Sequence, residues 1–268
     1  KGKSKILAGG TDLLVQMKSG RIEPAFIVDL KKIPELTDIK KEKSGYRIGA
    51  AVSGARLGEN KAVKRKWPGV VEALELIGST QIQGRASLGG NLCNGSPAAD
   101  SVPAMIAAGV TCKIAGPKGR RTERVENIIT GPGKTSLKKG EFVVSFLLPD
   151  KPNKSSEAYL RLIPRTEMDI AVVGAGVSLT LDTNGVCTQA RVALGAVAPK
   201  PILVEAAGSI LVGSELSSSS LEEMAQICRA ACNPIDDMRG TIEYRTKVAG
   251  VLAARATKIA AERARSGK

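Results

Sequence analysis

Ile6-Leu7-Ala8-Gly9-Gly10-Thr11-Asp12-Leu13 near the start of the chain, and Ser87-Leu88-Gly89-Gly90-Asn91-Leu92 with Ser96-Pro97-Ala98-Ala99-Asp100 further on, are the stretches on which the fold turns. The first reads as a strand, Lys5 to Ala8, two glycines, and a helix from Thr11 to Met17 with Thr11 as N-cap. Such a turn gathers unpaired backbone N–H groups and the positive end of a helix dipole at one point, which suits a pyrophosphate. Alone, Gly-Gly is also an ordinary turn. Asp12 would repel a phosphate if it pointed inward, so its expected place is outside, complementing the dipole. In the second stretch Ser87 and Asn91 can hydrogen-bond a diphosphate or ribose, while Gly89 and Gly90 remove side chains from the contact. Asp100 can accept from a sugar or ribityl hydroxyl. The bland alternative is a glycine-rich surface loop, Gly84 to Gly95, with Asp100 near the start of a helix.

Working outward, Ala25 to Leu30 is a second strand, and Thr37 to Lys41 pairs with Tyr46 to Gly49 around Ser44-Gly45. Pro68 to Ile77 has helical apolar spacing, and Ala98 to Ala108 is a further helix. Thr111 to Ala115 and Glu141 to Leu148 read as strands joined by a polar connection, Gly116 to Gly140. Pro149-Asp150-Lys151-Pro152 is the clearest boundary. Beyond it lie strands Glu157 to Ile163, Ala171 to Asp182 and Cys187 to Ala196, the last two joined by the Asn184-Gly185 hairpin signal. A serine run caps a helix from Leu221 to Ala231, and a last helix runs from Thr241 to Arg263. Val248, Val251, Leu252, Arg255 and Ile259 mark one face of it.

The composition narrows the chemistry. The 268 residues are 43% hydrophobic and 25% charged, which is globular, and only 3% aromatic, so a ring-shaped ligand would meet aliphatic walls and backbone. There is no histidine, which removes the commonest general base and metal ligand. Five scattered cysteines fit reduced thiols and a cytoplasmic location, and Cys228 with Cys232 make a poor metal site. No apolar run is long enough to span a bilayer. The net charge of +14 is spread through short clusters without aromatic interleaving, which speaks for a solvated surface or an acidic protein partner rather than nucleic acid. Any redox or group-transfer chemistry is expected to belong to a cofactor.

The two glycine segments, in this order, with Arg161 and Pro164-Arg165-Thr166-Glu167-Met168-Asp169-Ile170-Ala171 after them, resemble the flavoprotein subunit of the xanthine dehydrogenase and carbon monoxide dehydrogenase family. The resemblance covers nearly the whole chain. It implies an α+β, vanillyl-alcohol-oxidase (PCMH)-type FAD-binding fold over residues 1–152, with subdomains of about 1–52 and 53–152, followed by a C-terminal antiparallel sheet-and-helix domain over 153–268. It also implies that the family's opening strand and helix come before the first glycine strand, outside this chain. Carried over by position, Leu7, Ala8, Gly9, Gly10, Thr11, Asp12 and Leu13, with Ser87, Leu88, Gly89, Gly90 and Asn91, would embrace the FAD diphosphate. Asp100 would contact a polar part of the cofactor. Ile77, Val143 and Arg161 fall near the isoalloxazine, although core packing explains Ile77 and Val143 equally well. Arg161 reads either as a solvated strand charge or as a cation favouring the anionic reduced flavin.

The implied role is electron transfer. Reducing equivalents would come from a large molybdenum-cofactor subunit through a small [2Fe-2S] subunit and leave to an external acceptor, NAD or quinone-like, within a dimer of heterotrimers. Some members insert an iron-sulfur loop of cysteines in the FAD domain. The cysteine-free Gly116 to Gly140 connection predicts none here. The rival readings are a flavin-free scaffold subunit of the same complex and a basic nucleic-acid-binding module. Neither glycine segment spells Gly-x-Gly-x-x-Gly, which disfavours a nicotinamide dehydrogenase.

Overall fold

The computed structural model describes residues 4–267, so the extreme ends of the two expected domains, 1–3 and 268, lie outside the described residues. β1 (Ser4–Leu7) runs parallel to β2 (Phe26–Asp29), with α1 (Leu13–Lys18) crossing between them. This pair has little core of its own: no residue of α1 is buried and every residue of β2 is exposed. After α2 (Pro34–Thr37), the hairpin β3 (Ile39–Glu42) and β4 (Gly45–Gly49) turns at Gly45, whose φ of 143° favours glycine.

Six helices follow: α3 (Gly54–Glu59), α4 (Lys61–Lys66), α5 (Pro68–Glu75), α6 (Thr80–Gln83), α7 (Leu88–Cys93) and α8 (Ser101–Ala107). Then come β5 (Thr111–Gly116), β6 (Gly119–Arg124), the small pair β7 (Ile129–Gly131) and β8 (Lys134–Thr135), and β9 (Phe142–Pro149). The main sheet has the order β3-β4-β9-β5-β6, all neighbours antiparallel, with β9 inserted between two strands made long before it. Trp67, Leu74, Met105, Ile106 and Phe146 are fully buried in the core between sheet and helices. All seven residues of α8 are buried, as expected of a helix that is apolar all round.

The C-terminal part is a second antiparallel sheet, β10 (Ser155–Leu162), β11 (Val173–Leu181), β12 (Cys187–Gly195) and β13 (Ile202–Leu203), in that order. It carries α9 (Glu205–Leu211), α10 (Ser218–Ala230) and α11 (Ile242–Ser266). α8 packs on it so closely that a Cβ at Gly176 would stand 2.7 Å from the Pro103 carbonyl oxygen. Asp182 shapes the β11–β12 turn by accepting from the N–H groups of Asn184 and Val186.

The structure corrects several expectations. The polar connection contains β6, an edge strand whose alternating charges are paired sideways, Arg121 with Glu141 at 2.9 Å and Arg120 with Glu35 at 2.5 Å. Charged edges of this kind resist pairing with other chains. The glycine-rich loop contains a helix, α7. The C-terminal part carries three helices rather than two. The inward face of α11 is mostly a run of small residues, Ala249, Ala253, Ala256, Ala260 and Ala264, with Leu252 of the marked face buried among them, while Arg255 is exposed and Val248, Val251 and Ile259 flank the contact. Small side chains let the helix axis approach the sheet, so bulk was a poor guide to the buried face.

The serine run enters its helix earlier than the apolar pattern suggested. Ser217 is the N-cap, its Oγ accepting from Ser220 N at 3.3 Å, and Ser218, Ser219 and Ser220 form the first turn. Ser217→Ala is expected to cost about 1 kcal/mol. It would appear as a lower urea midpoint with an unchanged slope, and an unchanged midpoint would refute the cap.

Candidate functional site

The two glycine segments come from different layers and meet. A methyl group on Gly9 would overlap the Arg85 carbonyl oxygen, so only glycine lets the β1–α1 turn lie against the backbone leading into α7. Gly10 adopts φ 82°, a left-handed conformation in which a side chain is strained. The N–H groups of Gly10, Thr11 and Asp12 have no acceptor among the described residues. Thr11 is not the cap: Asp12 occupies that position, and its side chain makes no capping bond. Asp12 instead lies at the cleft wall with its carboxyl raised by desolvation.

At the second segment Ser87 caps α7, its Oγ accepting from Gly90 N at 3.1 Å. Asn91 Oδ1 accepts from both the N–H and the hydroxyl of Ser101, at 3.1 and 2.7 Å, and so ties α7 to the start of α8. The two neighbouring glycines differ in role. A Cβ at Gly89 would sit 2.5 Å from the Ala50 carbonyl oxygen, so Gly89 serves internal packing; at Gly90 the nearest obstacle is Ser87 Oγ at 3.3 Å.

Between the segments lies a cleft of about 410 Å³. Of the expected residues, Ala8, Gly9, Gly10, Thr11, Asp12, Leu13, Ile77, Ser87, Gly89, Gly90, Asn91 and Val143 line it; Leu7, Leu88, Asp100 and Arg161 do not. The sequence reading missed Leu30, Leu137 and Phe142, which add apolar wall, and Glu141. Phe142 could have been found as the strand neighbour of Val143, whereas Leu30 and Leu137 carry no local signal. Arg121 and the N–H of Lys138 bind the Glu141 carboxylate and hold it down to about 2, so this acid in the cleft is already satisfied. Among the described residues no group of three or more Cys, Asp or Glu side chains could hold a metal.

Asp100 and Arg161 form a buried pair away from the cleft wall. Arg161 donates to Asp100 Oδ2 at 3.0 Å, and the Tyr159 hydroxyl donates to Oδ1 at 3.1 Å. The pair joins the start of α8 to β10. Burial pushes the Asp100 carboxyl up to about 6, against the opposing pull of Arg161 and the Tyr159 hydrogen bond. Burial likewise raises the Tyr159 hydroxyl, and Arg161 Nε is buried without a partner among the described residues. Asp100 is tied to the cleft through the chain itself, since its neighbour Ser101 is held by Asn91.

Comparison with known proteins points to one family. The family model described as the FAD binding domain in molybdopterin dehydrogenase matches residues 1–151, and the CO dehydrogenase flavoprotein C-terminal domain matches residues 158–260. The carbon monoxide dehydrogenase medium chain of Afipia carboxidovorans is 34% identical over 97% of this chain and 90% of its own length. A xanthine dehydrogenase FAD-binding subunit of Escherichia coli O157:H7 is 32% identical over 91% of this chain and 84% of that protein. Among solved structures, the Cu,Mo-CO dehydrogenase in its cyanide-inactivated form matches with a TM-score of 0.93 at 33% identity, covering 98% of this chain and 91% of that one. Quinoline 2-oxidoreductase from Pseudomonas putida 86 matches with a TM-score of 0.89 at 27% identity, covering 97% of this chain and 90% of that one.

Proposed function

Because the chain belongs to the family of FAD-binding subunits of molybdenum hydroxylases, oxidoreductases with a PCMH-type FAD fold, we propose that it is an electron relay holding FAD in the cleft between its glycine segments. Electrons would arrive from a [2Fe-2S] subunit and leave to an external acceptor, NAD or quinone-like. The observation that carries the reading is the convergence of Gly9 and Gly10 with Ser87 to Asn91 on one cleft.

The residues suit the group. The free N–H groups of Gly10, Thr11 and Asp12 supply donors for a diphosphate at the turn before α1, with Ser87 and Asn91 facing them across the cleft. Gly90 brings no side chain to the cleft, and the nearest atom to a Cβ placed there is a hydroxyl, Ser87 Oγ at 3.3 Å, rather than backbone. Ile77, Leu137, Phe142 and Val143 offer an apolar surface for a ring and exclude water beside it. Asp100 and Arg161 are assigned to the support of this site, through Ser101 and Asn91, rather than to its wall. When bound, the flavin takes up electrons singly and releases them in pairs, which suits a link between a one-electron cluster and a two-electron acceptor. The chain supplies orientation and electrostatics, in keeping with its lack of histidine.

The relatives are named medium chains and FAD-binding subunits. On that ground we assign the chain a large molybdenum-cofactor subunit and a small [2Fe-2S] subunit as partners, in a dimer of heterotrimers in the cytoplasm. No helix among the described residues is long and apolar enough to cross a membrane. The division of the chain is proposed between residues 152 and 153, in the segment that joins β9 to β10.

The purified protein is expected to be yellow and to release FAD in stoichiometric amount on heating or acid treatment, identified by chromatography. Protein purified with its partners that stays colourless and refuses added FAD would overturn the relay and favour the flavin-free scaffold.

A further inference from the structure

A second concavity, about 700 Å³, lies where the β3–β4 turn, α4, the linker after β9 and the end of α11 come together. Its lining is strongly basic. Two of its lysines are spent within the fold: Lys66 pairs with Asp150, and the buried Lys151 with Glu157 at 2.6 Å. The remaining acid, Glu42, is held by Arg47 at 3.0 Å. Lys154 reaches only the carbonyl oxygens of Asp182 and Thr183, at 3.4 Å. Lys41, Lys43, Arg65 and Arg265 are exposed and have neither carboxylate nor carbonyl partner among the described residues. Elsewhere on the surface Lys31, Lys64, Arg120 and Arg229 are paired, and what marks the groove is that its free cations gather on one concave surface.

Four unpaired cations drawn from three separate segments around one concave surface make a local positive field that a matching anionic surface would complete. The shape and chemistry of the lining select the kind of anion. No large apolar side chain is exposed among the lining residues, so a lipid surface would find nothing to insert. The one aromatic residue of the lining, Tyr46, packs edge-on against the buried Trp67 with ring centroids 5.5 Å apart, so no open ring is offered to nucleic-acid bases. The volume suits a short stretch of side chains rather than a duplex.

We infer that this groove receives an acidic, extended peptide segment of a neighbouring subunit, whose Asp and Glu side chains pair with Lys41, Lys43, Arg65 and Arg265. The inference rests on the reading of the chain as one subunit of a larger assembly. It locates on four named cations an attraction that the net charge of +14 only suggests. None of these four lies in the FAD cleft.

The test uses the complex purified through a tag on this chain. Zero-length carbodiimide cross-linking followed by peptide mapping is expected to join Lys41 or Lys43 to an Asp or Glu of another subunit. The fourfold variant Lys41→Glu, Lys43→Glu, Arg65→Glu and Arg265→Glu is expected to keep its full flavin content, showing that it folds, while binding its partners about tenfold or more weakly at physiological salt. If both lysines acetylate as fast in the complex as in the isolated chain, and the variant assembles like the wild type, the inference falls while the subunit reading stands. If duplex DNA or anionic vesicles bind the wild type and not the variant, with no cross-link formed, the groove serves another anion and the inference falls. A wild-type chain that purifies with no partner overturns the subunit reading and the inference together.

Discussion

Gly9→Val is expected to weaken FAD binding about a hundredfold, because relief of an overlap of about 3 kcal/mol must move the first glycine segment away from the second. The overlap is with backbone, the Arg85 carbonyl oxygen, and so no side-chain rotation can relieve it. Titration of the apo-protein with FAD, followed by flavin fluorescence, reads the effect. Gly90→Ala is the companion experiment, since its new methyl group would meet only Ser87 Oγ, at 3.3 Å. Loss of flavin from Gly90→Ala with an unchanged melting temperature would mean that the ligand itself needs that space. Wild-type affinity in Gly9→Val would show that the two segments need not touch to hold the cofactor.

Asp100→Ala is expected to destabilise the protein by about 3–5 kcal/mol, because it leaves the Arg161 guanidinium buried without its carboxylate. Asp100→Asn keeps one acceptor oxygen for Arg161, while its amide can donate to the Tyr159 oxygen, and it should cost less. The pair also predicts a pH dependence. The carboxyl is raised from 3.8 to about 6 in the folded chain, so between those values the folded state holds the proton more tightly than the unfolded one. Its contribution is therefore complete at acid pH, declines as the pH rises from about 4 to about 6, and is flat above that. Subtracting the Asp100→Asn unfolding profile from that of the wild type should isolate this decline. A flat difference across the window would show that the carboxyl keeps its ordinary pKa.

Much of the fold was legible because its signals are local. The strand, Gly-Gly and helix of the first segment, the Asn184-Gly185 turn and the Pro149 to Pro152 linker each announce themselves within a few residues. The candidate site was legible in its backbone and less so in its side chains. Asn91 and Ser87 read as ligand donors, yet each spends its oxygen inside the fold, on Ser101 and on Gly90 N. Asp100 read as a cofactor contact, but its partners stand 59 and 61 residues along the chain, and no local pattern encodes such a pairing. Thr11 read as the cap, and the turn instead placed Asp12 there, without a capping bond. β6 was hidden because an edge strand facing solvent on a charged flank lacks the apolar alternation that reveals a strand. The alanine face of α11 was hidden for the opposite reason, since close packing selects small residues that carry little hydrophobic contrast.

The layer of β1, α1 and β2 contributes the first glycine segment, yet it buries almost nothing of itself against the rest of the chain. Local opening is least costly where few apolar contacts must be broken, and a ligand gripped between two layers suppresses the opening of the weaker one. In this protein the cofactor would therefore act as a clasp as well as a redox group. The escape of the ligand and the lifting away of the first layer would then be one event with one rate, and the lifetime of the loaded protein would be set by the seam the ligand closes.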